Sequence, residues 1–392
     1  MPTPRPVYLD AHATTACDPR VVERMLPYFQ EDFGNAASRN HSWGWSAEAA
    51  VDRARAQAAA VINASPKEIV WTSGATESDN LAVLGAAEAN RERGDHVVTC
   101  VTEHPAVLDP MKELERRGFR VTRLPVDETG LVDLGELREA LDNRTILVSI
   151  MTANNEIGTI QPIREISDIV RARSKALFHT DAVQAIGKIP VDVESMGIDL
   201  LSMSGHKIHG PKGVGALYVR RRRPTVRLQP ILHGGGHERG LRSGTLNVPG
   251  VVGMGEALEI ADREMDDNAE RMERLRDELW SRLRDELDGV HRNGHPEKCL
   301  PNNLNVSFEG VEAEALLKEM PDVAVSTGAA CASASLEPSH VISALGFPPE
   351  RGQSSIRYGL SRFTTEKEIE LAADQAIAGV RKLRAFARSA AS

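Results

Sequence analysis

Lys207 stands in the stretch Ser202–Gly215 (SMSGHKIHGPKGVG), between the apolar runs Ile198–Met203 and Val214–Val219, with Ser204, Gly205, His206 and Gly210 supplying turn chemistry. The stretch reads as a buried strand ending in that lysine at the mouth of a site. An amine so placed can form a Schiff base with an aldehyde cofactor, whereas a loop lysine would only reach solvent. Ser204 and His206 can both hydrogen-bond an anion, and the glycines let the backbone approach a ligand closely. A P-loop is excluded, because Gly210 is followed by Pro211 and Lys212 and no helix start follows.

An aldehyde cofactor of this kind needs an acid to keep its ring nitrogen protonated and groups to hold its phosphate. Ala176–Thr180 (ALFHT) reads as a short strand that delivers Asp181 and then Gln184 at its carboxyl end, where open α/β sheets place their ligands. Asp181 is therefore the partner for a pyridinium. Glu68–Thr72 reads as a strand running into Ser73-Gly74-Ala75-Thr76-Glu77, with a helix following to about Arg91. A helix N-terminus presents unpaired N–H groups and a positive dipole end, so Ala75 and Thr76 form either a phosphate cradle or a plain N-cap. The strand His96–Thr102 ends in Glu103-His104, and His104 can stack on a flat ring and relay protons or serve as a satisfied structural histidine. Thr327–Leu336 (TGAACASASL) is small, polar and unpatterned, which reads as a mobile loop with Cys331 as its one reactive side chain. Its small neighbours offer nothing to bury that thiol.

The elements that must position these groups alternate strand and helix through most of the chain, which argues for an α/β fold with a mostly parallel sheet flanked by helices. Val7–Asp10 is a strand-like start, His12 reads as a turn residue in AHATT, Asp18-Pro19 opens a helix, and Ser42–Ile62 is a long alanine-rich helix. Val248–Leu287 reads as one long helical stretch bridging into a smaller α+β domain. That domain has a strand at Pro301–Phe308, a helix at Ala313–Met320, a strand at Val323–Ser326 and a last strand at Ser355–Leu360. With 392 residues the chain is expected to hold two domains. The expected division is 16–260 for the large domain, with 1–15 and 261–392 forming the small one.

The net charge of −9 argues against a nucleic-acid surface, and Arg220–Arg223 reads as a solvated run or a dock for an acidic partner. No run of ~18 apolar residues and no signal-peptide core appears, so the expectation is a cytoplasmic protein that engages no membrane. Cys17, Cys100, Cys299 and Cys331 match no metal or disulfide spacing, so no metal is expected.

HTDAVQAIGK followed by SMSGHKIHGPKGVGALYVR resembles the fold-type I pyridoxal phosphate enzymes of the class-V aminotransferase family, and within it the NifS/IscS-like cysteine desulfurases. The resemblance runs from YLDAHATT at Tyr8 to SIRYGLSRFTTEKEIE at Ser355–Glu370. It implies pyridoxal 5'-phosphate as cofactor, His104 lying on its ring and assisting proton transfer, and Asn155 contacting the ring hydroxyl and substrate. It further implies that Arg357 grips the substrate carboxylate and that Thr245, in the glycine-rich loop His233–Asn247, completes the phosphate site of the neighbouring subunit. A homodimer with shared active sites follows. The loop around Cys331 is similar to the longer loop of the NifS/IscS-like group. One departure is Ala36 after Asn35, where the family usually has proline.

The expected reaction converts L-cysteine to L-alanine and leaves a persulfide on Cys331 for an iron–sulfur scaffold or tRNA-thiolation protein. Selenocysteine lyase or cysteine sulfinate desulfinase is the nearest alternative. A sulfur-relay scaffold with a mainly structural cofactor is a third.

Overall fold

A computed structural model describes residues 5–222, 225–327 and 339–391. Its strands are β1 (Val7–Tyr8), β2 (Ile69–Thr72), β3 (His96–Cys100), β4 (Arg120–Leu124), β5 (Thr145–Ser149), β6 (Leu177–Asp181), β7 (Leu200–Ser204), β8 (Gly215–Val219), β9 (Val290–Asn293), β10 (Asn303–Phe308), β11 (Val323–Ala324) and β12 (Ser355–Gly359). The helices begin with α1 (Pro19–Met25), α2 (Pro27–Gln30), α3 (Ser42–Val61), α4 (Ala75–Ala89), α5 (Pro105–Arg116), α6 (Leu134–Ala140) and α7 (Ile163–Arg173). They continue with α8 (Val248–Arg263), α9 (Met265–Glu286), α10 (Ala313–Glu319), α11 (His340–Ala344), α12 (Pro349–Gln353) and α13 (Glu366–Ala391).

The central sheet runs β2-β8-β7-β6-β5-β3-β4, parallel except for β8, which is antiparallel to both neighbours. Strands β3, β5, β6 and β7 are buried at every position, as a parallel sheet covered on both faces requires. Successive side chains feed opposite cores. Val97, Leu147, Leu177 and Leu200 pack with Leu81, Val107 and Met111 of α4 and α5, while Val98, Val148, Phe178 and Leu201 pack on the other face with α3 and α8. His179 and Asp181 share the α4 face with Leu177 by the same period.

The alanine richness of α3 has a packing reason as well as a propensity one. A Cβ on Gly255 of α8 would meet Ala54 Cα at 2.7 Å, so the two helices meet backbone to backbone through small residues.

A second sheet, β12-β10-β9, is antiparallel and is covered by α9 and α13 through Leu275, Leu279, Leu283, Ile369, Ala373 and Ile377. The β1–β11 pair lies beside it, and Leu9 joins the same core. From there the N-terminal arm crosses to the first sheet, with Ala11 N–H bonding Gly359 O and Thr15 N–H bonding His206 O.

Two expectations change. The helical stretch 248–287 breaks at Glu264 (φ −103°, ψ 8°), because α8 packs against α3 whereas the 3–4-spaced leucines of α9 face α13. The strand before Lys207 stops at Ser204, and the lysine sits on a 3₁₀ turn, Gly205–Lys207. Gly205 N–H bonds Val214 O and Gly210 N–H bonds Gly205 O, which folds the chain back into β8. Among the described residues no helix is long and apolar enough to cross a membrane.

Candidate active site

The carboxyl ends of β2, β3, β5, β6 and β7 converge on one cleft of about 640 Å³, within the size range of small-molecule sites. Ala75, Thr76, His104, Asn155, Asp181, Gln184, Ser204, His206 and Lys207, separated in sequence by up to the whole first sheet, all line it. Thr245 is exposed and is not among the lining residues, and Arg357 stands behind the wall. Cys331 and Arg223 lie outside the described residues.

Lys207 is held by the N-terminal arm: its Nζ donates to His12 O and, at 2.9 Å, to Ala13 O. Asp181 ends β6 with its carboxylate accepting from Val183 N–H at 2.9 Å. Burial pushes its carboxyl up to about 6, and the Val183 bond and the Lys207 charge restrain it from rising further. The carboxyl is thus ionised at neutral pH and makes no ion pair among the described residues, which suits it to a protonated ring nitrogen.

His104 caps α5, its Nδ1 accepting from Ala106 N–H at 3.1 Å, so the neutral ring carries its proton on Nε2. Burial first, then Lys207 and His340, push it down to about 4. His206 bonds Thr14 Oγ1 at 3.1 Å and is likewise pushed to about 4 by burial and the neighbouring lysines.

Helix α4 begins after Gly74 with no side-chain cap, leaving its first-turn N–H groups to the cleft beside Thr76. The cradle is shaped from behind: a Cβ on Gly215 of β8 would stand 2.6 Å from Gly74 Cα. These donors, the Asp181 carboxylate and the amine of Lys207 fit pyridoxal phosphate in charge and in functional group.

Several residues reach the site that sequence reading passed over. His12, read as a turn residue, is fully buried, with Nδ1 2.9 Å from Gln184 Oε1. Glu77 turns its carboxylate from the cradle to Arg242 at 2.8 Å, so the glycine-rich loop touches its own chain's α4. Asp79, one turn along α4, is raised well above the usual carboxylate range by burial and then by Asp181. Only its i+4 spacing from Ala75 hinted at this.

Arg357 is 1% exposed, its guanidinium donating to Asn155 O at 2.9 Å and to Asp10 at 2.8 Å. Of the arginine run, Arg220 is committed to Asp199 and Arg222 to Glu194.

The family model of aminotransferase class-V matches residues 7–371. The chain belongs to that family. Among curated relatives, the cysteine desulfurase IscS of Anaeromyxobacter dehalogenans (strain 2CP-C) is 58% identical over 379 residues, spanning 97% of this chain and 93% of its own length. Among solved structures, a NifS-like protein superposes with a TM-score of 0.88 at 41% identity, covering 97% of this chain and all of that one. SspA in complex with cysteine superposes at 0.81 with 36% identity, covering 92% of this chain and all of its own. In this family the fold class read from the sequence, a mostly parallel sheet flanked by helices, is the architecture found.

Proposed function

We propose that the chain is a pyridoxal phosphate-dependent cysteine desulfurase, converting L-cysteine to L-alanine and retaining the sulfur on Cys331 as a persulfide. The observation that carries this reading is the meeting of Lys207, Asp181, His104 and the uncapped α4 N-terminus in one cleft. The names of the curated relatives and the cysteine bound in the SspA structure support the substrate.

Lys207 would hold the cofactor through its amine, Asp181 would keep the ring nitrogen protonated, and Thr76 with the α4 N–H groups and Ala75 would hold the phosphate. Gln184, Ser204 and His206, which line the same cleft, would help hold the cofactor, and Asn155 would contact both cofactor and substrate. Pyridoxal phosphate bound there supplies an electron sink for the α-carbon of an amino acid. Once displaced by the substrate amine, Lys207 Nζ is a base for the α-proton. His104 enters neutral, with a proton on Nε2 to give. Arg357 binds the substrate carboxylate by a bidentate pair. The Cys331 thiolate attacks the substrate sulfur, the carbon–sulfur bond breaks with its electrons left on carbon, and a proton completes alanine.

On this reading residues 16–260 form the cofactor-binding domain, and 1–15 with 261–392 form the domain that carries Cys331. Thr245 completes the phosphate site of a second copy of the chain. Support for a homodimer comes from the exposed large apolar side chains Leu26, Phe29, Phe33, Trp43 and Trp45, of which Phe33 and Trp43 pack ring against ring. The persulfide passes to an iron–sulfur scaffold or a tRNA-thiolation protein in the cytoplasm, without direct contact to nucleic acid or membrane.

Cys331→Ser tests the reading. The variant keeps cofactor and cysteine binding, seen as an unchanged visible spectrum and a cysteine-induced shift, but accumulates no persulfide by intact mass and releases little alanine. Alanine release from cysteine at the wild-type rate would instead favour a lyase or desulfinase that does not need the Cys331 thiol. Cysteine-dependent fading without alanine from the wild type would favour the scaffold.

A further inference from the structure

The glycine-rich loop 233–247 is exposed along most of its length, yet Glu238 within it is buried. Its carboxylate accepts from Trp71 N–H at 2.8 Å on β2, the edge strand of the central sheet, and forms a bidentate pair with Arg55 of α3, each bond 2.8 Å. Arg55 reaches the same edge, donating to Ile69 O at 2.8 Å, and Arg239 donates there at 2.6 Å. Two side chains of the loop thus take hydrogen bonds that a further strand would make. Glu238 and Arg239 stand at φ 49° and 60°, a conformation that non-glycine residues seldom adopt and that persists only where the surroundings impose it.

Beyond this clamp the chain is held at close intervals. Arg242 Nε donates to Glu77 at 2.8 Å, and the other oxygen of Glu77 accepts from Ser73 N–H at 2.8 Å, at the start of α4. Gly236 N–H bonds Ser243 Oγ and Gly244 N–H bonds His237 Nδ1, each at 3.2 Å, which closes the loop on itself around Glu238. On the far side Leu246 packs on the core that α3 and α8 share, and Asn247 caps α8 with Oδ1 accepting from Gly250 N–H at 3.1 Å. Thr245 stands between these anchors, exposed, and outside the lining of its own chain's cleft. A residue so fixed and so exposed is offered to a surface beyond its own subunit.

We propose that Glu238, held by Arg55, is a positioning residue for Thr245: it locks the glycine-rich loop to the edge of the sheet so that Thr245 is delivered to the phosphate site of the second copy. The proposal rests on the reading that Thr245 completes that site. Glu238 is not among the residues lining its own chain's cleft, so its effect reaches a cofactor only through the loop. The clamp of one chain then sets the cofactor affinity of the site whose lysine belongs to the other.

Mixed dimers of the full chain, made from two differently tagged subunits, test this by titration of the cofactor-free protein with pyridoxal phosphate. Borohydride fixation followed by mass spectrometry reads occupancy at Lys207, and a dimer of wild type with Lys207→Ala gives the reference half-saturation. In the first test dimer one chain carries Glu238→Gln and its partner Lys207→Ala; in the second both changes sit on one chain and the partner is wild type. Glutamine keeps an acceptor for Trp71 N–H and loses the bidentate charge pair, so half-saturation should match the reference in the first dimer and lie about tenfold higher in the second. A brace acting only within its own subunit gives the reverse, and that reverse, or two equal values, overturns the proposal. Should Glu238→Gln fail to fold, Arg55→Lys, which keeps the charge but not the fork, must show the same pattern. Thr245→Ala in the same two dimers decides the underlying reading separately. If it weakens only the second dimer while Glu238→Gln does not, the loop is shared but the clamp does not position it; if it spares both or weakens the first, the shared-site reading itself fails and the proposal falls with it.

Discussion

The two walls of the cleft are built differently. On the side of the central sheet, the chemical groups sit at or just beyond the carboxyl ends of the strands and face the cavity: Asp181, which ends β6, makes no ion pair among the described residues, and α4 begins without a side-chain cap. On the side of the antiparallel sheet, Arg357 stands within β12, buried and already engaged by Asp10 and by Asn155 O. The cofactor wall is preorganised by sheet topology, whereas the substrate wall has its cation paired inside the protein. An incoming carboxylate must therefore compete with, or be added to, an existing pair.

The largest effect expected along this contrast is at Lys207. Lys207→Ala should remove the visible absorbance of bound cofactor and drop alanine production to background while thermal unfolding stays near wild type; alanine at the wild-type rate would break the account of the cofactor wall. Arg357→Ala should weaken cysteine capture by about 2–5 kcal/mol, seen in KM, with the cofactor spectrum intact. An unchanged KM would mean that the substrate wall binds no carboxylate.

A smaller effect follows from Asp181. With its carboxyl raised to about 6, the affinity of the cofactor-free protein for pyridoxal phosphate should fall about tenfold per pH unit below that value, because pairing needs the ionised form. The folded value lies above the unfolded 3.8, so Asp181 binds more proton in the folded state in this window, and its own contribution to stability, taken as wild type minus Asp181→Asn so that the buried histidines cancel, should decline as pH rises from about 4 to about 6. Bound cofactor should flatten that decline. A titration of cofactor binding that is level between pH 5 and 7 would show that Asp181 has a cation in the free protein.

The smallest is Asp10→Asn. It strips the ionic half of the Arg357 pair, lowering stability by about 1–3 kcal/mol in chemical denaturation while lowering KM for cysteine a few-fold. A raised KM would mean that Asp10 orients Arg357 for substrate instead of competing with it.

Much of the cofactor wall was legible because strand ends and glycine turns are local signals. The apolar run Ile198–Met203 and the glycines after it located Lys207, and ALFHT located Asp181. His12 lies in a turn, as read from AHATT, but that segment carries no local sign of its burial; what buries it is Gln184 and Asn302, far along the chain. The helix break at Glu264 was hidden for the same reason. Nothing in residues 248–287 says that the first half will face α3 and the second α13. Glu238 sat inside the glycine-rich loop, yet a glutamate among glycines reads as solvated until its surroundings are known.

What the sequence by itself determined is the set of reactive groups and the order of the elements that carry them. Periodicity and turn chemistry act over a few residues, and the family motifs between Tyr8 and Glu370 keep their order. Only the tertiary structure decided how those groups are charged and paired. Desolvation is a property of the packed interior, so the raised carboxyl of Asp181 and the neutral His104 exist only once the sheet, the arm and the 3₁₀ turn close around them. The Arg357–Asp10 pair joins residues at opposite ends of the chain, and no local pattern in either segment encodes a contact that depends on β12 meeting the N-terminal arm.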